Sequence, residues 1–263
     1  MKRSTRTKLN RLGFYALLVA VVVLVATAVD WGRVKDNFWA PGQKKNWHDL
    51  IAIGAVKTVE YTAICFAIGL LFAIVLALMK LSPIAPYRWL ATGYVEFFRG
   101  LPALVVILAC AFGVPIAFDW QPPGGLIGAG LLGLILVTAA YMAETLRAGI
   151  QAVPKGQTEA ARSLGMSNSR TLFTIVLPQA FRIVIPPMTN EFVLILKDTS
   201  LLYLIGVEFN QRELSSVARD FTSSGSTAGT STSLTQVALL YLIITLPLTR
   251  LVAWLEKRQQ RAR

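Results

Sequence analysis

Long apolar runs recur through this chain, and they leave little choice of fold. They cover residues 14–29, 51–79, 89–118, 126–142, 183–206 and 234–255. A helical span needs about 20 apolar residues, range ~17–25, to cross the hydrocarbon of a bilayer. The reading is an all-α, polytopic membrane protein of about six transmembrane helices. Composition agrees, with 54% hydrophobic residues and only 15% charged. The first run is short, and Ala26-Thr27-Ala28 has the form of a signal-peptidase site, so a cleaved signal competes with a retained span.

The net charge of +12 would suit nucleic acid, but the charges stand between apolar runs rather than on one surface. Their distribution sets the orientation, because short cytoplasmic loops collect Lys and Arg. The inner set is Lys2, Arg3, Arg6, Lys8 and Arg11, then Lys80 and Arg88, then Arg147, Lys155, Arg162, Arg170 and Arg182, then Lys257, Arg258, Arg261 and Arg263. Outside fall Arg33, Lys35, Lys44, Lys45, Arg212 and Arg219. This puts both termini and the long polar stretch after residue 142 in the cytoplasm. Residues 30–49 form an exterior loop with interfacial tryptophans Trp31, Trp39 and Trp47. Residues 80–88 form an inner turn, 122–125 an outer turn, and 207–233 a mobile polar exterior loop with a Ser/Thr/Gly-rich tract at 222–233.

The polar stretch has a helical punctuation of its own. Pro154 suits a first helical position, Gly165 a C-terminal cap, and Ser167 with Asn168 the start of a second helix, 170–176, that stops before Pro178. Within this stretch Glu159-Ala160-Ala161, Gly165 and Leu177-Pro178-Gln179-Ala180 resemble the EAA motif of the membrane subunits of bacterial ATP-binding-cassette importers. Pro186-Pro187, Asn190 and Lys197-Asp198-Thr199-Ser200 are similar to the branch that carries polar amino acids, the histidine/glutamate/glutamine/arginine/opine permeases. Glu96-Phe97-Phe98-Arg99-Gly100-Leu101-Pro102 resembles that family's entry to its third span, with Glu96 and Arg99 spaced to pair.

The resemblance implies a type I importer permease in a bacterial inner membrane. It implies 1–49 as arm, first helix and exterior loop, 50–255 as a five-helix core with coupling helices at 154–180, and 256–263 as a basic tail. It implies partners: ATP-binding-cassette ATPase subunits, a second permease subunit (a copy or a paralogue), an exterior substrate-binding protein and a small polar amino acid. Glu159, Ala160, Ala161, Gly165, Leu177 and Pro178 would meet the ATPase.

The chain has no GxxxxGK[ST] loop, no HExxH and no GxSxG, so ATP chemistry belongs to another chain and no enzyme or cofactor is expected. His48 is the lone histidine, and Cys65 and Cys110 sit inside apolar runs, which leaves no metal set. Gly128, Gly130 and Gly133 of the fourth run point to close helix packing. The fifth run holds Asn190, Glu191, Lys197, Asp198, Thr199 and Ser200, a costly set within a membrane. Asn190, Leu194, Lys197 and Leu201 share one helical face, and Glu191 with Asp198 the next. Pro186-Pro187 is expected to interrupt this helix near its start. Two readings stand: a substrate path, or a structural pair of Lys197 with Asp198 or Glu191. A stand-alone ion-coupled transporter or channel is the competing function, and it would have no use for a docking helix.

Overall fold

The computed structural model describes residues 3–39, 43–120, 122–224 and 227–261, with side chains of 11–38, 43–120, 122–224 and 227–258. Lys2, Arg3, Arg6, Lys8, Trp39, Arg261 and Arg263 lie outside those described side chains. The fold is all-helical and divides into two compact units, Met1–Asn46 and Trp47–Arg263.

In the first unit α1 (Arg3–Ala28) holds an apolar window, Arg11–Ala28, long enough to cross a membrane, and its side chains there are exposed. Trp31 donates its ring N–H to the Ala26 carbonyl at 2.7 Å, and Asp30 accepts the Arg33 N–H at 3.1 Å, so the chain turns at once into amphipathic α2 (Trp31–Trp39). Helix α3 (Gln43–Asp49) spans the division between the units. The exterior loop expected at 30–49 is thus helical over 31–39 and 43–49.

In the second unit a π-helical stretch, Leu50–Ala55, leads into α4 (Val56–Leu81). Pro83 keeps Ser82 extended, and α5 (Ala85–Gly100) returns. The third apolar run is not one straight helix. Leu101 and Pro102 are both extended, because the ring of Pro102 bars helical geometry at Leu101, and the chain bends by 104°. It continues as α6 (Ala103–Leu108), a π turn (Ala109–Gly113) and α7 (Val114–Phe118). With this bent pair counted as one span, six segments among the described residues are long and apolar enough to cross a membrane.

Helix α8 (Gly125–Gln151) runs well past the end expected at residue 142. It is the central helix, with 72% of its apolar window buried against 33% or less for the other single-helix windows. Its outer half packs Leu131, Leu134 and Ile135 with Tyr61, Cys65, Ile107 and Ile195. Its inner half packs Met142 and Ala143 with Leu76, Val95, Val184 and Met188. Small residues make this possible. A Cβ on Gly133 would stand 2.8 Å from the Ile107 Cα, so only glycine lets α6 approach so closely. Between lipid-soluble helices, close packing and dispersion hold the bundle, since lipid tails solvate apolar faces as well as a neighbouring helix does. Exposed Leu71, Phe72, Val75 and Leu78 on α4 suit such tails.

Short α9 (Lys155–Ser163) and α10 (Asn168–Thr171) follow. The second coupling helix does not stop before Pro178. It begins at Asn168, widens into a π stretch, Leu172–Val176, and continues as α11 (Leu177–Asp198). A π turn shifts the hydrogen-bond register, which accommodates the missing N–H and the ring of Pro178. Nor do Pro186 and Pro187 interrupt α11, which carries both in its interior. Ala180, Val184 and Met188 bury one face of that segment, so packing holds it helical.

Residues 207–233, expected as a mobile loop, contain α12 (Leu214–Ser223). Leu214, Val217 and Ala218 bury its apolar stripe against Leu50, Val237 and Leu240. Helix α13 (Thr232–Arg261) closes the fold and extends into the basic tail as far as Arg261.

Candidate functional site

The polar stretch after α8 is an ordered protrusion. Pro154, with φ −58° and ψ 128°, stands just before Lys155 and starts α9. Along α9 only Ala161 is buried, while Glu159 and Ala160 are exposed side by side. The helix closes on Gly165 at φ +81°. The Gly165 N–H donates to the Arg162 carbonyl at 2.9 Å, and the Met166 N–H to the Ala161 carbonyl at 3.1 Å. This paired closure needs a left-handed residue at the turn, which is why glycine occupies it. Nothing lies within 4 Å of where a Gly165 Cβ would be, so the backbone angle constrains this position and crowding does not.

Ser167 then accepts the Arg170 N–H on its hydroxyl at 3.3 Å and opens α10. Val153, Val176 and Ala180, with Ile150 and Ile183, form a small core that joins the end of α8 to the π stretch and the start of α11, at the base of the two short helices. Leu177 is half-buried, and Pro178 exposed. One residue escaped the sequence reading: Leu164, 85% exposed at the tip beside Gly165. Its signal was present, an apolar residue directly before a capping glycine on an otherwise polar helix. Glu159, Ala160 and Leu164 offer a carboxylate, a small close-approach patch and an apolar knob on one protrusion. That combination fits a groove in a protein partner better than solvent.

The polar residues of α11 divide by face as their spacing requires. Asn190, Leu194 and Lys197 are exposed in the single chain. Glu191 and Asp198 are half-buried, and Glu191 has Asp198, Arg99 of α5 and Thr145 of α8 as electrostatic neighbours. Arg99 lies over the Tyr141 ring at 5.3 Å, and among the described residues no Glu96–Arg99 ion pair forms. Nor does any ion pair join Lys197 to Asp198 or Glu191. At Asp198 the α-helix gives way to a 3₁₀ stretch, Thr199–Leu204, where Thr199 is buried and donates its hydroxyl to the Leu196 carbonyl at 2.7 Å, and Ser200 is half-buried. The irregular backbone of this span therefore takes in Thr199 and Ser200, directly after Lys197-Asp198, and not Pro186-Pro187. Altered backbone at membrane depth is tolerated where it faces protein or an aqueous path.

At the outer end Glu213 was also missed. It is buried, caps α12, and accepts the N–H groups of Ser215 and Ser216 at 2.6 and 2.7 Å and the hydroxyls of Ser216 and Tyr241 at 2.7 and 3.4 Å. Burial pushes its carboxyl above the ordinary range, and those hydrogen bonds oppose the shift. Thr58 accepts the Leu214 N–H at 3.1 Å, which fixes α12 to α4. A cavity of about 680 Å³ near the inner end is lined by Leu70, Ile74, Leu146, Phe173 and Phe181 among others. Its apolar wall does not suit a zwitterion.

The family described as binding-protein-dependent transport system inner membrane component matches residues 69–261. The probable glutamine ABC transporter permease protein GlnM of Bacillus subtilis is 38% identical over 210 residues, 80% of this chain and 93% of that protein. The glutamate/aspartate import permease protein GltK of Escherichia coli O157:H7 is 33% identical over 212 residues, 78% and 91%. Among solved structures, a crystal structure of an amino acid ABC transporter with histidines superposes with a TM-score of 0.70 at 33% identity, covering 80% of this chain and 94% of that one. The inward-facing MetNI methionine ABC transporter superposes with a TM-score of 0.61 at 16% identity over 78% and 96%, a likeness of fold alone.

Proposed function

This chain belongs to the family of binding-protein-dependent transport system inner membrane components, and from that premise we propose that it is the permease subunit of an ATP-driven importer of polar amino acids. It is a multi-pass inner-membrane protein, and ATP hydrolysis resides in a separate chain. The observation that carries the reading is the capped, exposed α9 set between central α8 and polar α11. Glu159, Ala160, Ala161 and Gly165, with Leu177 and Pro178 behind them, form the contact to the cytoplasmic ATPase. Leu164 joins them as an apolar anchor. A second permease subunit completes the path, two ATPases supply the stroke, and an exterior binding protein delivers the solute. Closure of the ATPases on ATP moves α9, and α8 and α11 carry that motion to the path, which gives alternating access.

A free amino acid presents a carboxylate and an ammonium. Both are costly to desolvate, so a path that holds one needs a cation and an anion in its wall. Lys197 meets the carboxylate, Asp198 or Glu191 the ammonium, and Asn190, Thr199 and Ser200 supply neutral hydrogen bonds. Lys197 is exposed and, among the described residues, makes no salt bridge, acting on Asp198 only at longer range, which supports this role.

The test is reconstitution of this chain with its ATPase and binding protein in proteoliposomes. ATP-dependent accumulation of glutamine, glutamate or arginine is expected, with no ATP hydrolysis by the chain alone. Uptake that persists without the ATPase would refute the proposal in favour of a stand-alone carrier.

A further inference from the structure

One polar cluster lies outside both the docking protrusion and the polar face of α11. Lys80, in the last turn of α4, donates to Glu144 Oε2 at 2.9 Å. Arg147 Nε donates to both Glu144 oxygens at 3.1 Å, its Nη2 bonds Oε1 as well, and its Nη1 donates to Gln151 Oε1. Glu144, Arg147 and Gln151 are spaced i, i+3 and i+7, so they occupy one face of α8. A continuous polar string thus runs from the end of α4 to the last residue of α8. After Ala152, Val153 and Pro154 the chain enters α9.

The side chains of Lys80, Glu144 and Arg147 are only 14%, 23% and 27% exposed. Such pairs are screened less than surface ones, and a forked Arg–carboxylate contact fixes direction as well as distance. The neighbouring α4–α8 contacts, Leu76 and Met79 with Met142 and Leu146, are apolar. Apolar contacts resist separation, yet they are non-directional and let one helix slide along another. The motion would pass beyond α4, because Arg88 of α5 donates to the Ser82 and Pro83 carbonyls at 3.1 and 2.7 Å.

Resting on the permease reading above, we propose that Lys80, Glu144 and Arg147 are positioning residues that make α4 travel with α8 when α9 is displaced. They touch neither solute nor ATPase. Loss of the link leaves hydrolysis running while the stroke is dissipated at the α4–α8 contact.

The experiment uses the full assembly in proteoliposomes, with uptake of radiolabelled glutamine, glutamate and arginine and release of phosphate measured in the same vesicles. Lys80→Met leaves Glu144 paired with Arg147, so no carboxylate is orphaned. In this variant the solute moved per ATP is expected to fall at least about fivefold, with hydrolysis within about twofold of wild type, and Lys80→Arg is expected to restore the ratio. An unchanged ratio in Lys80→Met overturns the proposal. So does a Lys80→Arg variant as uncoupled as Lys80→Met. Should Lys80→Met fail to assemble, the same ratio is read in Glu144→Gln, and an unchanged value there overturns the proposal equally. Wild-type vesicles with no ATP-driven uptake would sink the importer reading and the cluster's role with it.

Discussion

Substitution of Gly165 separates two explanations of the docking turn. Its φ of +81° is left-handed, and nothing stands within 4 Å of a Cβ placed there. The intrinsic cost of an ordinary side chain is therefore the left-handed penalty, about 1–2 kcal/mol, and less for Asn, whose side chain tolerates that region. Helix α9 spans nine residues with only Ala161 buried, so little else holds its end. A penalty of that size lowers the population of the closed turn by about 5- to 30-fold. Gly165→Asn is expected to retain more ATP-driven uptake than the smaller Gly165→Ala, and Gly165→Val to retain least, at equal amounts of chain in the membrane. Uptake per assembled complex in proteoliposomes measures this. If activity instead falls with side-chain volume, so that Asn is worse than Ala, a partner groove excludes any side chain and the backbone argument is wrong. Wild-type uptake by Gly165→Val would show that the turn takes no part in docking.

Two further outcomes can be checked. Lys197→Met with Asp198→Leu should fold and sustain hydrolysis in the assembly yet lose at least about tenfold in uptake, as expected when a charged hydrogen bond to solute is removed; near-wild-type uptake would remove these residues from the solute path. Glu213→Ala should lower thermal stability in detergent through loss of the α12 cap, by about 1 kcal/mol. Because burial raises the Glu213 pKa, its folded form holds the proton more tightly than the unfolded chain does. Its contribution is thus fully present in acid and lost as pH rises through the folded value. Glu213→Gln, which cannot titrate there, should show a flatter dependence of melting temperature on pH, and equal slopes would contradict the assignment.

The sequence by itself determined the fold class and the capped turn at Gly165, and both for local reasons. A run of apolar residues must close its own backbone hydrogen bonds in lipid, so length and composition suffice to specify helical spans. Gly165 and Ser167 act within one turn of their own positions, and their caps appear where their chemistry put them. The bend at Leu101–Pro102 and the helix at Leu214–Ser223 also have local signals, the residue before a proline and the Leu214, Val217, Ala218 periodicity, though the expectation there is a single span and a mobile loop.

What tertiary structure alone decided were the places where distant packing overrides local preference. Pro186 and Pro187 remain helical because Val184 and Met188 are held against α8, and Pro178 is absorbed by a widened turn seated on Val153. The burial of Glu213 beneath Tyr241 and the meeting of Lys80 with Glu144 join residues 28 and 64 positions apart. No local pattern encodes such contacts, because they exist only once α8 has gathered the other helices around itself.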